Sequence, residues 1–231
     1  MFPQLLLIET STEVCSVALS RGGEITSLRV VKEPKSHARI IAPMIDEILK
    51  ESTSSIDECD AIVVSEGPGS YTGLRVGVSI AKGLCYGAGK PLIAVSSLEL
   101  LARLVAGAIN ENEPYTIIVP MIDARRMEVY TAKYNRFCEP ISATEALVIT
   151  KESFSEDLTK GIVIFTGDGA MKCEPIITHP NARFIRTEAN ATGMLLPALK
   201  KFNEGKFVDV AYFEPFYLKD FVAGVTKKKL F

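Results

Sequence analysis

The chain has few of the residues that metal sites and nucleophilic active sites require. Only two histidines occur in 231 residues, His37 and His179, and they are far apart in sequence. The five cysteines form no C-x-x-C pair and leave an odd one, which favours reduced thiols over a zinc site or a disulfide framework. A serine or cysteine nucleophile needs a base nearby, and a metalloprotease needs H-E-x-x-H or a similar cluster. Peptidase activity is therefore the least supported class of function.

Long apolar segments and a large excess of charge are also missing. No run approaches the roughly 20 apolar residues of a membrane helix, and no basic segment with a cleavage site precedes the first predicted strand. Hydrophobic residues make up 47% of the chain, charged residues 23%, and the formal net charge is −2. These values are ordinary for a globular protein and give no bulk attraction to nucleic acid. We expect a cytoplasmic protein with no membrane partner.

Hydrophobic periodicity predicts three strands, helix, strand, helix, strand and helix in the first half of the chain. The polar stretch 110–114 is the best boundary, which gives one domain over 1–110 and a smaller one over 111–231. The second half predicts a hairpin over 115–134, a buried strand over 161–166 and a helix near 192–203 that packs back on the first domain. The last residues, including Lys227, Lys228 and Lys229, are expected to form a loose tail.

A glycine-rich turn follows the fourth predicted strand and opens a helix. It reads Gly67-Pro68-Gly69-Ser70-Tyr71-Thr72-Gly73-Leu74-Arg75. Turns of this kind at a helix N-terminus are typical of phosphate sites. However, no lysine follows Gly73 and Pro68 has no N–H, so the turn is not a P-loop. Thr72 stands where the dinucleotide fingerprint needs its third glycine, so the turn serves another purpose.

Small residues line one stripe of the helix that follows. Gly73, Gly77, Ala81 and Cys85 recur at intervals of four. Glycine inside a helix costs about 1 kcal/mol relative to alanine, so this stripe needs an explanation. One alternative is close packing on the chain's own sheet; the other is close approach of a helix from another subunit, as at G-x-x-x-G pairs. Both fit the spacing.

Several segments together resemble the TsaB (YeaZ) family of the actin/Hsp70/sugar-kinase superfamily. They are residues 9–12, 37–43, 67–75, 95–99, 123–126 and 167–170. The block over 67–75 is highly specific, and the resemblance covers most of the chain. It implies an α/β fold with two subdomains of the βββαβαβα type, the second reduced.

The resemblance also implies a function, the formation of N6-threonylcarbamoyladenosine at position 37 of tRNAs that read codons starting with A. In that system the paralogue TsaD transfers the threonylcarbamoyl group, and the TsaB-like subunit supports TsaD without chemistry of its own. The implied partners are TsaD in a heterodimer, the ATPase TsaE in the assembled complex, a second copy when the chain is alone, and tRNA indirectly. The implied interface residues on the first two helices are Ile41, Met44, Ile45, Tyr71, Thr72, Leu74, Arg75, Gly77 and Ala81. Bulky residues at Gly77 or Ala81 are then expected to prevent assembly and leave the fold intact.

Catalysis and nucleotide binding are the competing interpretations. The catalytic paralogue carries H-x-x-x-H for a metal, whereas Ile41 stands four residues after His37, so His37 is expected to begin a helix and make local hydrogen bonds. Glu9 and Ser11 replace the aspartate and glycine of superfamily members that hydrolyse ATP. A vestigial phosphate site, with weak ATP or ADP binding at or near the subunit interface and no required cofactor, is expected at Thr10, Ser11, Thr12, Gly167 and Gly169. The alternative is an active ATP-dependent transferase or kinase of the same superfamily.

Overall fold

The computed structural model describes residues 2–33, 36–110, 112–113 and 115–219. The predicted tail at Lys227–Lys229 therefore lies outside the described residues. The strands are β1 Leu5–Glu9, β2 Val14–Arg21, β3 Glu24–Lys32, β4 Ala61–Gly67, β5 Leu92–Ser96, β6 Thr116–Asp123, β7 Glu128–Thr131, β8 Tyr134–Asn135, β9 Glu145–Val148, β10 Ile162–Thr166 and β11 Ala182–Ile185. The α-helices are α1 His37–Glu51, α2 Tyr71–Ala88, α3 Ser97–Val105, α4 Ser155–Lys160 and α5 Leu195–Asn203. None of the helices in these ranges combines the length and apolar character needed to cross a membrane.

The first sheet has the strand order β3-β2-β1-β4-β5. Strand β1 pairs antiparallel with β2 and parallel with β4, and β4 pairs parallel with β5. Both faces of β1 are covered, since Leu5 and Leu7 join one hydrophobic cluster while Leu6 and Ile8 join another. This double burial explains why β1 is continuously apolar in sequence and does not alternate.

Helices α1 and α2 cover one face of this sheet and contact each other. On the other face, α3 lies between the two sheets, so Leu98 and Leu101 share a core with Ile118 and Ile164 of the second sheet. The Ser96 hydroxyl caps α3 by accepting from Leu98 N and Glu99 N. Helix α5 returns to the first sheet and contributes to the same core. The two halves are thus joined by a shared hydrophobic cluster.

The second sheet has the order β11-β10-β6-β7-β9, and β8 also pairs with β6. Strands β6 and β7 form the predicted hairpin, and β10 is the predicted buried strand. Strands β9 and β11 and helix α4 were not predicted. Each has only four to six residues, which is too short for a periodic pattern to be recognised.

A C-terminal segment, residues 206–219, runs from α5 across the first sheet and α2 toward the second half. Val208 N donates to Leu92 O at 2.9 Å, and Lys82 Nζ donates to Ala211 O at 3.0 Å. Phe216 N then donates to Glu66 O at 2.7 Å, at the start of the glycine turn. The segment is held by these hydrogen bonds to its backbone and by Val208, Val210 and Phe213, which pack against the core under α1 and α2.

The stripe of small residues on α2 packs inside the chain. A Cβ added to Gly73 would lie 2.2 Å from Thr10 O, and one added to Gly77 would lie 2.2 Å from Thr10 Oγ1. Ala81 and Cys85 continue the stripe and are buried in the core beneath α1 and α2. Of the two alternatives left open by the sequence, close packing on the chain's own sheet is correct, and a bulky residue at Gly77 would disturb the fold.

We expect Gly77→Ala to lower the free energy of unfolding by about 1–3 kcal/mol, because overpacking outweighs the gain in helix propensity. Gly83, six residues further along α2, has nothing within 4 Å of the place its Cβ would take. Gly83→Ala should therefore raise that free energy by about 0.5–1 kcal/mol. Urea titration of both variants makes the comparison, and equal responses would contradict the packing described here.

Candidate functional site

The turn between β1 and β2, predicted as part of a phosphate site, is closed by its own hydrogen bonds. Oε1 of Glu9 accepts from Ser11 N at 2.6 Å and from Ser11 Oγ at 2.5 Å. Glu9 is fully buried, and burial raises the pKa of its carboxyl group against the opposing effect of these bonds. The Ser11 hydroxyl is thus already used within the turn.

The glycine turn covers this first turn directly. Ser70 N donates to Ser11 O at 2.7 Å, so an N–H at the start of α2 that could bind an anion is satisfied internally. A Cβ on Gly69 would lie 2.3 Å from Ser11 O, which leaves no gap between the two turns. Thr10 and Thr12 are buried as well. Packing of the glycine turn thus covers these hydroxyls in the described chain, and the phosphate site expected there stays a prediction.

The second predicted turn, at Gly167 and Gly169, packs against β6. A Cβ on Gly167 would lie 2.4 Å from Met121 O, and Gly169 N donates to Met121 O at 3.0 Å. Between them, Asp168 accepts from Asp123 N at 3.2 Å and remains partly open to water. Desolvation by the surrounding protein nevertheless raises the pKa of Asp168.

The two turns lie close enough for their acidic side chains to interact. The negative charge of Asp168 is among the causes that raise the pKa of Glu9, after burial. The grouping of these two turns in one phosphate site stays a prediction, and the acidic side chain that each turn carries disfavours an added anion there. Within the described ranges, no cluster of three or more histidine, cysteine or acidic residues is arranged to hold a metal ion.

His37 begins α1, as predicted, but its hydrogen bonding differs from the prediction. The residue is buried, and its Nε2 has no hydrogen-bond partner among the residues the structure describes. The expected local hydrogen bonds therefore do not reach Nε2. Ile41, where a second metal-binding histidine would be needed, is fully buried in the core under α1.

The predicted interface residues divide into a buried and an exposed set. Six residues lie in the interior of the chain and cannot form its surface: Ile41, Met44, Ile45, Leu74, Gly77 and Ala81. Their assignment to a partner interface is corrected, because the same apolar or small character that suggested a contact serves the core here. Thr72 and Arg75 are exposed and Tyr71 is half-buried, at the first turns of α2. Tyr71 stacks on Tyr217 with ring centroids 4.7 Å apart.

A second row of small residues lies on the outer side of α2. Ser79, Gly83 and Gly87 are exposed, and nothing lies within 4 Å of the Cβ positions of either glycine. This outer row is offset by two residues from the buried row, about 200° around the helix. The sequence analysis did not identify the outer row, although its small residues also recur at intervals of four. Attention went to the buried row because its first two glycines lie in or next to the glycine turn.

Aromatic and apolar groups flank the outer row. Tyr86 is 87% exposed, and Val76 and Ile80 are half-buried on the same helix. A groove of about 630 Å³ separates this end of α2 from the C-terminal segment, lined by Lys82, Gly83, Tyr86, Asp209, Val210 and Ala211. We define the outer face of α2 as the outer row together with Val76, Ile80 and Tyr86. On this face the helix backbone is accessible at the small residues, and larger apolar side chains flank it.

The raised pKa of Glu9 predicts a pH-dependent effect of Glu9→Gln. The folded protein holds the Glu9 proton to higher pH than the unfolded chain does. The contribution of Glu9 to the free energy of unfolding is therefore most favourable below the ordinary carboxyl pKa. That contribution falls as pH rises toward the raised pKa of the folded protein. Stability of Glu9→Gln relative to wild type should increase from pH ~4 to ~8 in urea titrations. Glu13→Gln, at an exposed position of the same turn, controls for loss of one charge; the same profile in both variants would contradict the assignment.

Comparisons with known proteins point to tRNA threonylcarbamoyladenosine biosynthesis. A family model described as TsaD, tRNA N6-adenosine threonylcarbamoyltransferase, matches residues 30–212. The tRNA threonylcarbamoyladenosine biosynthesis protein TsaB of Escherichia coli K12 is 36% identical over 230 residues, 95% of this chain and 96% of that protein. TsaB of Haemophilus influenzae is 43% identical over 132 residues, 57% of this chain and 54% of that protein.

A solved structure supports the same assignment. YeaZ from Pseudomonas aeruginosa is 28% identical, covers 94% of this chain and 100% of its own, and superposes with a TM-score of 0.80. The α/β fold of the actin/Hsp70/sugar-kinase type, predicted from the sequence, is confirmed by this match together with the two sheets. The chain belongs to the TsaB (YeaZ) family of tRNA threonylcarbamoyladenosine biosynthesis proteins.

Proposed function

We propose that this protein is the non-catalytic dimerisation subunit of the complex that forms N6-threonylcarbamoyladenosine in tRNA, and that it supports the catalytic subunit TsaD in the cytoplasm. The observation that carries the proposal is the outer face of α2. There, nothing in the described chain outside the helix lies within 4 Å of the places that a Cβ on Gly83 or Gly87 would take. In addition, the TsaB proteins that this chain resembles are named for the same biosynthesis.

Helix energetics favour a partner on this face. Each glycine costs about 1 kcal/mol relative to alanine, and packing inside the chain does not require glycine at either outer position. A row of small residues lets a second helix approach closely, as between G-x-x-x-G pairs. Val76, Ile80 and Tyr86 would then lose their water contact to the partner. A helix of the paralogue TsaD is the proposed occupant; a second copy of this chain is the substitute when TsaD is absent.

The absence of chemistry in this subunit is supported by two features of the chain. The turns that would approach a phosphate are packed against each other at Ser11 and Gly69. His37 has Ile41, a buried apolar residue, at the position where a second metal ligand would be needed. We therefore assign catalysis to TsaD and ATP hydrolysis to TsaE, with tRNA contacted mainly through TsaD.

The substitution Gly83→Trp tests the interface. The new side chain enters open space on this chain but fills the gap that a partner helix would need, so binding to TsaD should weaken at least tenfold. Size exclusion with light scattering on mixtures with TsaD of the same organism should give a one-to-one species for wild type and separate proteins for the variant.

Gly107→Trp is the matched control, since Gly107 is also exposed with nothing within 4 Å of its Cβ position. It lies after α3, away from the outer face of α2, and should bind TsaD like wild type. If Gly83→Trp also binds TsaD with wild-type affinity, the proposed interface is wrong. If the wild-type chain fails to bind TsaD, the scaffold function itself is wrong.

An active ATP-dependent transferase or kinase is the second candidate, favoured by the fold and by the match to a family model named for a transferase. Calorimetric titration with ATP and Mg²⁺ separates the two. We expect no micromolar binding and no turnover by this chain alone, because Glu9 and Ser11 are fully buried and Gly69 packs directly on Ser11 O. Weak ATP or ADP binding is expected only in mixtures with TsaD, at or near the subunit interface. ATP turnover by the isolated chain would show that the scaffold proposal is wrong and that the chain is an enzyme.

A further inference from the structure

The turn between β6 and β7 presents two arginines in an unusual backbone conformation. Arg125 has φ +73° and Arg126 has φ +51°, both in the left-handed region that glycine or asparagine adopts more easily. The turn is fixed by Glu128 N, which donates to Arg125 O at 3.1 Å, and by Arg125 N, which donates to Asp123 Oδ1 at 2.7 Å. Both side chains are exposed. The turn therefore exposes two consecutive arginines at the end of the hairpin.

Two acidic residues beside the turn are paired with lysines. Lys172 Nζ lies 2.5 Å from Asp123 Oδ1, and Lys219 Nζ pairs with Glu128. A third, Asp168, accepts a hydrogen bond from Asp123 N. Neither Arg125 nor Arg126 forms an ion pair with any residue in the part of the chain described here. Within the described residues, two positive charges on adjacent residues thus have no ion-pair partner, on a chain whose formal net charge is −2.

An open groove lies beside these arginines. Its volume is about 540 Å³, and it is lined by Ala124, Arg125, Arg126, Met127, Glu128 and Val148. Val148 is 60% exposed at the edge strand β9. The groove therefore has an apolar floor and a cationic rim, a combination that suits a ligand with both flat apolar faces and negative charge.

We propose that the β6–β7 turn, residues 124–127, binds the phosphate backbone of RNA through Arg125 and Arg126, with a base against Met127 and Val148. Guanidinium groups bind phosphates in bidentate fashion, and unpaired bases stack on apolar surfaces and on arginine planes. The choice of tRNA as the RNA rests on the proposed function. An acidic protein surface could also pair with the arginines, and the test below distinguishes it from RNA.

The test measures binding of an unmodified tRNA transcript to the full chain, alone and mixed with TsaD, over a series of salt concentrations. Arg125→Gln/Arg126→Gln should weaken binding at least tenfold at low salt. The slope of log K against log salt should fall by about 1.4–1.8, because two phosphate contacts are lost. Arg125→Lys/Arg126→Lys keeps both charges and should keep the slope.

The control variant is Arg136→Gln/Lys160→Gln, which removes two charges at the opposite end of the second sheet and should bind tRNA like wild type. Equal binding by the two double glutamine variants, alone and with TsaD, would overturn the proposal. Loss of TsaD binding in Arg125→Gln/Arg126→Gln, with tRNA binding by the isolated chain unchanged, would identify a protein contact and also overturn it. If the wild-type chain does not bind TsaD, the proposed scaffold function is wrong. The salt dependence of tRNA binding by the isolated chain still tests the present proposal in that case.

Discussion

The close contact between the backbone of α2 and the turn after β1 is the constraint on which the rest of the structure depends. Gly69 and Gly73 allow this contact because their Cβ positions would lie within 2.3 Å of carbonyl oxygens of the first turn. The contact sets the height of α2 above the first sheet. It thereby determines which side chains of α2 enter the core, and which face remains for a partner.

The same contact explains what became of the elements that bind phosphate elsewhere in this superfamily. The Ser11 hydroxyl donates to Glu9, and Ser70 N donates to Ser11 O, so hydrogen-bonding groups of both turns satisfy each other. Burial of the Glu9 carboxyl and the nearby charge of Asp168 oppose an added anion. A site that would be open for a ligand is instead part of the packing between a strand turn and a helix, which is consistent with a supporting subunit.

The sequence predicted the order of elements in the first half, because long apolar strands and amphipathic helices have clear periods. It failed for β9, β11 and α4, whose few residues are placed by tertiary contacts. For the site, the sequence analysis recognised that small residues recur every four positions on α2. Such a repeat shows that these residues share one side of the helix, but it does not show whether that side faces the core or the solvent. Consequently Gly77 was assigned to the surface, whereas Gly83, on the opposite side, is the exposed one. That distinction requires the position of Thr10, which lies more than sixty residues earlier in the chain.

The glycines on both sides of α2 also have a thermodynamic consequence. Four glycines within this helix, Gly73, Gly77, Gly83 and Gly87, leave it with little intrinsic tendency to be helical, so it is held in place by the sheet on one side. A partner that binds only the folded chain on the other side shifts the folding equilibrium by mass action, by about 2.7 kcal/mol when its concentration is a hundred times its Kd. The amount of folded protein in the cell is then linked to the amount of its partner, and an excess of this subunit would be the more readily degraded fraction.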